Sequence, residues 1–265
     1  MNNFILMSDY KIINLKQIDS TNTYAKDNLA LFHDRTVVCA ETQTGGRGRF
    51  KRAWHSSNSG NIYASIVLKP RVKDINALPI TNLTQYLCVI ISDILKTYGI
   101  DGKIKWPNDI QVNKKKISGI LAENKIDDEG DVNIILGVGV NLNLSKEEVD
   151  AIDQPATSLN LELNKEISKD EFLKLLLDAF FAEYDEFLNK GFLYIKSRFV
   201  QKCAFLGSEI LIKNLDSKIS GIAKGINDDG SLSLSVTTQG YQNSNKQDVK
   251  DSNKDIKIFV GDVIC

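Results

Sequence analysis

The chain has 265 residues with 42% hydrophobic and 25% charged side chains, the balance of a globular protein of one or two domains. Lys+Arg number 33 against Asp+Glu 34, a formal net charge of −1. A general attraction to nucleic acid or anionic membrane is therefore not supported, and any cationic function must be local. No run of about 18 apolar residues is present, so no transmembrane helix is expected. The start, Met1 to Tyr10, has neither a basic segment nor a long apolar core, so it does not read as a signal peptide. A cytoplasmic protein without membrane partners is expected.

The elements follow in chain order. Asp19-Ser20-Thr21-Asn22 reads as the N-terminus of a helix over Tyr24 to Leu31, because these side chains accept bonds from free backbone N–H groups. Strands are expected at Thr36 to Glu41 and Asn61 to Lys69, and a helix over Ala77 to Tyr98, with Gly99 after it. Strands at Ile104 to Trp106, Ile110 to Val112 and Ile117 to Glu123 come next, the last two joined by a hairpin turn at Asn113 to Lys116. A strand over Val132 to Asn141 follows. Ser168 and Glu171 form a capping box that opens a helix to about Asn189, with Phe172, Leu176, Phe180 and Phe187 as its buried stripe. From Gly207 the pattern changes to short strands at Glu209 to Lys213, Ile219 to Ile226, Ser231 to Val236 and Ile256 to Val260. The polar stretch Gln239 to Asp255 reads as a mobile loop inside that part. A boundary near residues 200–207 is expected, giving domains 1–203 and 204–265.

Cys39, Cys88, Cys203 and Cys265 are widely spaced, with no C-x-x-C, so reduced thiols are expected. With His33 and His55 the only histidines, no metal site is expected. Neither a G-x-S-x-G elbow nor a Walker A sequence occurs.

Four segments carry chemistry. Gly45-Gly46-Arg47-Gly48-Arg49-Phe50-Lys51-Arg52-Ala53-Trp54 combines backbone that can approach an anion with planar, permanently charged forks. If the loop is extended, Arg47 and Arg49 point the same way. A solvated basic loop or a nucleic-acid segment is the alternative reading. Lys105-Trp106-Pro107-Asn108-Asp109 carries a strand lysine into a turn; an ordinary exposed lysine is the alternative. Gly137-Val138-Gly139-Val140-Asn141 places two glycines in an apolar strand, which implies close approach by a ligand or another backbone; a strand packed tightly against a helix is the alternative. Ser20-Thr21-Asn22 either caps its helix or binds a polar ligand head there.

Taken in this order, with Ser118-Gly119-Ile120-Leu121 between the second and third, these motifs resemble the biotin–protein ligase family from about Ile18 to Val260. The resemblance implies an α/β fold: a mixed-sheet, class II synthetase-like catalytic domain with a small C-terminal SH3-like β-barrel. It implies adenylation of biotin by ATP with Mg²⁺, then transfer of biotin to a lysine of a biotin carboxyl carrier protein, such as that of acetyl-CoA carboxylase. It places Ser20, Thr21, Asn22, Gln43, Arg47, Gly48, Arg49, Lys105 and Gly119 around biotin. Arg49, Arg52, Trp54, Asn108, Lys116 and Asn141 fall to ATP, with Lys105, Arg49 and Arg47 as the catalytic cations.

The chemistry is consistent, because biotin's carboxylate is already ionised at neutral pH and adenylation needs cations rather than a general base. Relatives with a winged-helix domain repress biotin synthesis. Few residues precede Ser20 here, so no sequence-specific DNA binding is expected, which a gel shift at a biotin operator tests. Some relatives carry a basic residue after the acidic residue that Asp262 matches; this sequence has none there. A monomer or a homodimer fits equally. Lipoate–protein ligase chemistry, a non-enzymatic nucleic-acid binder and an inactive relative are the alternatives.

Overall fold

The computed structural model describes residues 10–70, 80–126, 130–214, 217–236, 241–242 and 254–264. Among them, seven strands form one mixed sheet: β1 (Lys11–Ile18), β2 (Thr36–Gln43), β3 (Ile62–Leu68), β4 (Lys103–Lys105), β5 (Asp109–Val112), β6 (Lys115–Ile126) and β7 (Val132–Val140). Their order is β1-β2-β3-β7-β6-β5-β4, antiparallel throughout except for the parallel β1–β2 pair. A parallel neighbour needs a crossover, and α1 (Thr21–Asp27) provides it.

The sheet is packed on both faces, and alternation along each strand shows it. Val37, Ile66 and Leu136 join the main core, whereas their neighbours Val38, Val67 and Ile135 join a second cluster with Ala25, Leu29 and Phe32 beneath α1. The main core lies under α2 (Ile80–Thr97), α5 (Lys169–Lys190) and α6 (Leu193–Lys202). Two short helices, α3 (Lys146–Asp150) and α4 (Leu159–Leu163), connect β7 to α5. Ser168 Oγ accepts the Glu171 N–H at 3.3 Å, so α5 begins where the capping signal places it. Its stripe of Phe172, Leu176, Phe180 and Phe187 is fully buried. Gly191 ends the helix at φ 64°.

A second sheet is antiparallel and built from β8 (Glu209–Lys213), β9 (Lys218–Ile226), β10 (Leu232–Val236), β11 (Tyr241–Gln242), β12 (Lys254–Ile258) and β13 (Asp262–Ile264). The core is continuous between the two sheets, since Ile210, Ala223, Leu232 and Val263 belong to the main cluster.

The expected elements are present with small changes at their ends, and the hairpin turn sits at Asn113 (φ 50°) and Lys114 (φ 64°). β1, α3, α4, α6 and β13 were not foreseen. The helix near Tyr24 begins at Thr21 and ends at Asp27, with a 3-10 turn at Leu29–Leu31 after it. The expected mobile loop, Gln239 to Asp255, lies largely outside the described residues; Tyr241–Gln242 pairs with β9 and Lys254–Asp255 with β10.

Burial raises the Cys39 thiol to about 12 and raises the Cys88 and Cys203 thiols as well. These thiols stay protonated at neutral pH and unreactive. Native protein treated with Ellman's reagent is expected to leave Cys39, Cys88 and Cys203 unlabelled until denaturant is added; prompt labelling of any of them, mapped by peptide mass, contradicts this packing.

Candidate active site

One cleft lies on the α1 side of the large sheet, at its centre. Its floor comes from β6 and β7. Alternation puts Gly119, Leu121 and Glu123 on one face of β6, and Gly137 and Gly139 on the same face of β7. The register pairs Gly119 with Gly139 and Leu121 with Gly137. Two facing glycines leave a shallow trough where side chains would otherwise stand. The trough is filled from above: a Cβ at Gly139 would lie 2.3 Å from Trp54 Cε2, and one at Gly137 would lie 2.2 Å from Asn22 Oδ1. The close approach at these glycines is made by side chains of α1 and of the Arg-Gly loop, where a ligand or another backbone was expected. Gly139→Ala is expected to expel the Trp54 indole and loosen the loop, seen as a red-shifted, more quenchable tryptophan emission. An unchanged emission maximum would show that the indole is held by something else.

One end of the cleft is polar and neutral. Ser20, Thr21 and Asn22 are all buried. Ser20 occupies the helix-cap position but its hydroxyl makes no capping bond, so simple capping does not account for it. Gln43 Oε1 accepts from the Thr21 N–H at 2.8 Å, and Gln43 Nε2 donates to Ser56 Oγ at 2.9 Å. Asn22 Nδ2 donates to Glu123 at 2.9 Å, and Ser65 Oγ donates to Asn22 Oδ1 at 2.6 Å. These bonds fix the donors and acceptors before any ligand arrives, which is how a site pre-organises.

The other end is cationic. The segment from Gln43 to Ser56 closes on itself: the Gly48 N–H donates to Arg52 O at 2.7 Å and the Trp54 N–H to Gly46 O at 2.9 Å. Its tip is a 3-10 turn at Arg49–Lys51, with Phe50 (φ 54°) and Lys51 (φ 59°) both left-handed. Gly48 between Arg47 and Arg49 is extended (φ −113°, ψ −174°) and the curl begins only after Arg49, yet the two arginines take different partners. Arg47 pairs with Glu123 at 2.9 Å, near the polar end. Arg49 pairs with Asp262 at 3.3 Å and donates to Asn108 Oδ1 at 2.9 Å. Arg52 reaches the same Asp262 at 2.6 Å. Burial lowers the affinity of the Arg49 guanidinium for its proton, and Asp262 and Asp109 oppose that. Arginine nevertheless stays charged. Lys116 Nζ is 2.9 Å from Asp109 and 5.2 Å from the centre of the Trp54 ring. The Trp54 indole N–H is buried without a hydrogen-bond partner.

Of the residues expected at the site, Ser20, Thr21, Asn22, Gln43, Arg47, Gly48, Arg49, Arg52, Trp54, Asn108, Lys116 and Gly119 line this cleft. Two do not. Lys105 stands on β4, the outermost strand, with β5 between it and the floor, so it is outside the lining. Asn141 is buried and structural: its Nδ2 donates to Thr157 O at 3.0 Å, its backbone N–H to Ile117 O at 2.9 Å. It borders only a smaller adjoining hollow with Trp54, His55 and Gln154. Sequence reasoning missed Glu123, Ser65 and the contact of Asp262 with the loop arginines. The alternation from Gly119 to Glu123 was the available signal for Glu123.

A two-sheet α/β protein therefore presents a cleft with a preset neutral polar end, a glycine floor and four cations: a receptor for a small ligand that ends in anionic groups. The profile of the Biotin/lipoate A/B protein ligase family matches residues 15–141. The biotin--[acetyl-CoA-carboxylase] ligase of Paracoccus denitrificans is 31% identical over 226 residues, covering 83% of this chain and 92% of that protein. The bifunctional ligase/repressor BirA of Bacillus subtilis is 32% identical over 217 residues, covering 81% of this chain; the match spans 66% of the BirA length. Biotin protein ligase from Aquifex aeolicus, solved in complex with biotin and ATP, superposes with a TM-score of 0.75 at 27% identity, covering 96% of this chain and 97% of that one. The chain belongs to the biotin/lipoate A/B protein ligase family, and these relatives within it are biotin protein ligases.

Proposed function

We propose that the chain joins biotin to ATP and then passes biotin to a lysine of a carrier protein. The observation that carries this reading is the placement of four cations and a preset neutral polar end in one cleft. The uncharged ring head of biotin suits the end formed by Ser20, Thr21, Asn22 and Gln43. Its carboxylate then extends toward Lys116, and the triphosphate toward Arg49 and Arg52.

In the first step a carboxylate oxygen attacks the α-phosphorus of ATP and the bond to pyrophosphate breaks. Both partners are anions, so positioning and cations at the developing charge do the catalysis. We assign to Lys116 the role that the resemblance implied for Lys105; its place in the cleft lining, with Lys105 on the outermost strand, supports this. Arg47 belongs with the polar end, where Glu123 holds it. Mg²⁺ arrives with the nucleotide and shields its phosphate charge. In the second step a neutral lysine amine attacks the carbonyl carbon of the mixed anhydride and AMP leaves. The curled loop limits water access to the anhydride meanwhile.

The carrier is proposed to be a biotin carboxyl carrier protein. Among the described residues no helix is long and apolar enough to cross a membrane. A cytoplasmic setting is proposed from the protonated, buried thiols.

Biotin-dependent ATP–pyrophosphate exchange with purified protein and Mg²⁺ tests the first step. Exchange with biotin and not with lipoate or octanoate is expected. Exchange with lipoate or octanoate instead moves the protein to the lipoate side of the family.

A further inference from the structure

Two polar joints tie the second sheet to the catalytic domain, beside the shared apolar core and the ion pair from Lys196 to Asp228. At one, Gly261 O and Asp262 receive Arg49, and Asp262 also receives Arg52. At the other, the β9–β10 turn Asp228-Asp229-Gly230 enters a buried slot in the larger domain. There the Gly230 carbonyl accepts from Gln85 Nε2 at 2.7 Å and from the Trp106 indole N–H at 3.1 Å. Asn82 Nδ2 donates to Asp229 O at 3.1 Å and to Gln85 Oε1 at 2.7 Å. Asn82, Gln85 and Trp106 are at most 2% exposed. The slot admits only glycine: Gly230 sits at φ 80°, and a Cβ there would lie 2.3 Å from Asn82 Nδ2 and 2.4 Å from Gln85 Oε1.

The two joints are linked by a short piece of chain. Trp106 holds Gly230; Asn108, two residues on, holds Arg49 at 2.9 Å. Asp109 holds Lys116 at 2.9 Å. A shift of the turn in its slot is therefore felt by both the loop and the pocket lysine. Nothing at the polar end, Ser20 to Asn22 and Gln43, touches the second sheet through these bonds.

We infer that the Gly230–Gln85–Trp106 joint is a positioning device: it seats the second sheet so that Asp262 and Asn108 hold Arg49 for the nucleotide, leaving biotin binding untouched. Gly230, Gln85 and Trp106 are positioning residues, since none of them lies in the cleft lining. The functional arm of the test rests on the adenylation reading above; the structural arm does not.

The experiment compares Gly230→Ala and Gln85→Met with Gly207→Ala in the full chain. Gly207 belongs to the same C-terminal part, has φ 83° and has open space at its Cβ, so its alanine imposes the backbone strain without touching the joint. Hydrogen exchange by mass spectrometry reads the loop directly. Amide exchange across Arg47 to Trp54 is expected to accelerate in Gly230→Ala and Gln85→Met and to stay as in the parent in Gly207→Ala. In ATP–pyrophosphate exchange, KM for ATP is expected to rise about tenfold in the first two variants, the size of a typical coupling between sites. Their affinity for biotin, read by calorimetry, is expected to stay within about twofold.

Combined with Asp262→Asn, Gly230→Ala is expected to add little, because both act through one contact. Unchanged loop exchange in Gln85→Met, or equal loosening in Gly207→Ala, overturns the proposal. So does a fall in kcat with KM for ATP unmoved. If Gly230→Ala does not fold, Gln85→Met, which keeps side-chain length and backbone, decides. If the parent protein shows no exchange with biotin, the adenylation reading fails, while loop exchange still judges the joint.

Discussion

Lys116→Gln is expected to slow biotin adenylation by about 10²- to 10³-fold, the usual loss when one pre-aimed charge is removed from a developing anion. Lys116 lines the cleft together with the polar residues and the loop arginines, and Asp109 holds its ammonium at 2.9 Å. Its stem packs beside Trp54, which keeps the charge from swinging into solvent. The fall is expected in kcat, with biotin affinity little changed, because the head of biotin is gripped elsewhere. Lys105→Ala is the comparison: on the outer strand and outside the cleft, it is expected to leave the exchange rate within about twofold. The reverse pattern would restore the lysine of the Lys-Trp-Pro-Asn-Asp motif to the chemistry.

Arg49→Ala is expected to make the enzyme leak. Arg49 joins the loop tip to Asn108 and to Asp262, so its loss unties the curled loop from two sides at once. One charge-assisted hydrogen bond contributes roughly 1.5–3 kcal/mol, and the dwell time of bound adenylate should fall about 10- to 100-fold. Asp262 keeps Arg52 as a partner, so folding should survive. The measurement is rapid gel filtration of protein loaded with radiolabelled biotin and ATP, with the adenylate assayed in the free and bound fractions. Equal retention by Arg49→Ala and the parent would remove the shielding role.

Most of this was readable in the sequence, for local reasons. Ser20-Thr21-Asn22 and the Gly-Arg loop announce themselves because their chemistry is written in adjacent residues. The strands and long helices follow from periodicity, which is also local. What the sequence left open is a matter of distance. Lys105 and Lys116 both sit on strands near turns, and only the order of the sheet decides how far each stands from the cleft floor. Asn141 stands at the end of a glycine-rich strand, as a ligand residue would, but its amide is spent on Thr157 O. Gly119 and Gly139 are separated by a hairpin, so their pairing into one trough depends on register. Arg47 and Arg49 take separate partners, Glu123 and Asp262, and both partners lie far along the chain, beyond the reach of local patterning. β1 escaped notice because it is an edge strand with a mostly exposed face, so its alternation is faint.

The contact between Arg49 and Asp262 spans 213 positions of the chain. A ribosome delivers the two ends of the cleft at different times. The polar end and the glycine floor are complete once β7 has been made, while the carboxylate that holds the loop arginines comes only with β13. A nascent chain could thus hold the vitamin well before it could keep a reactive anhydride. On the proposed reading, synthesis delivers the seat for the vitamin first and the tie that retains the anhydride last, so a chain cut before β13 is expected to release what it makes.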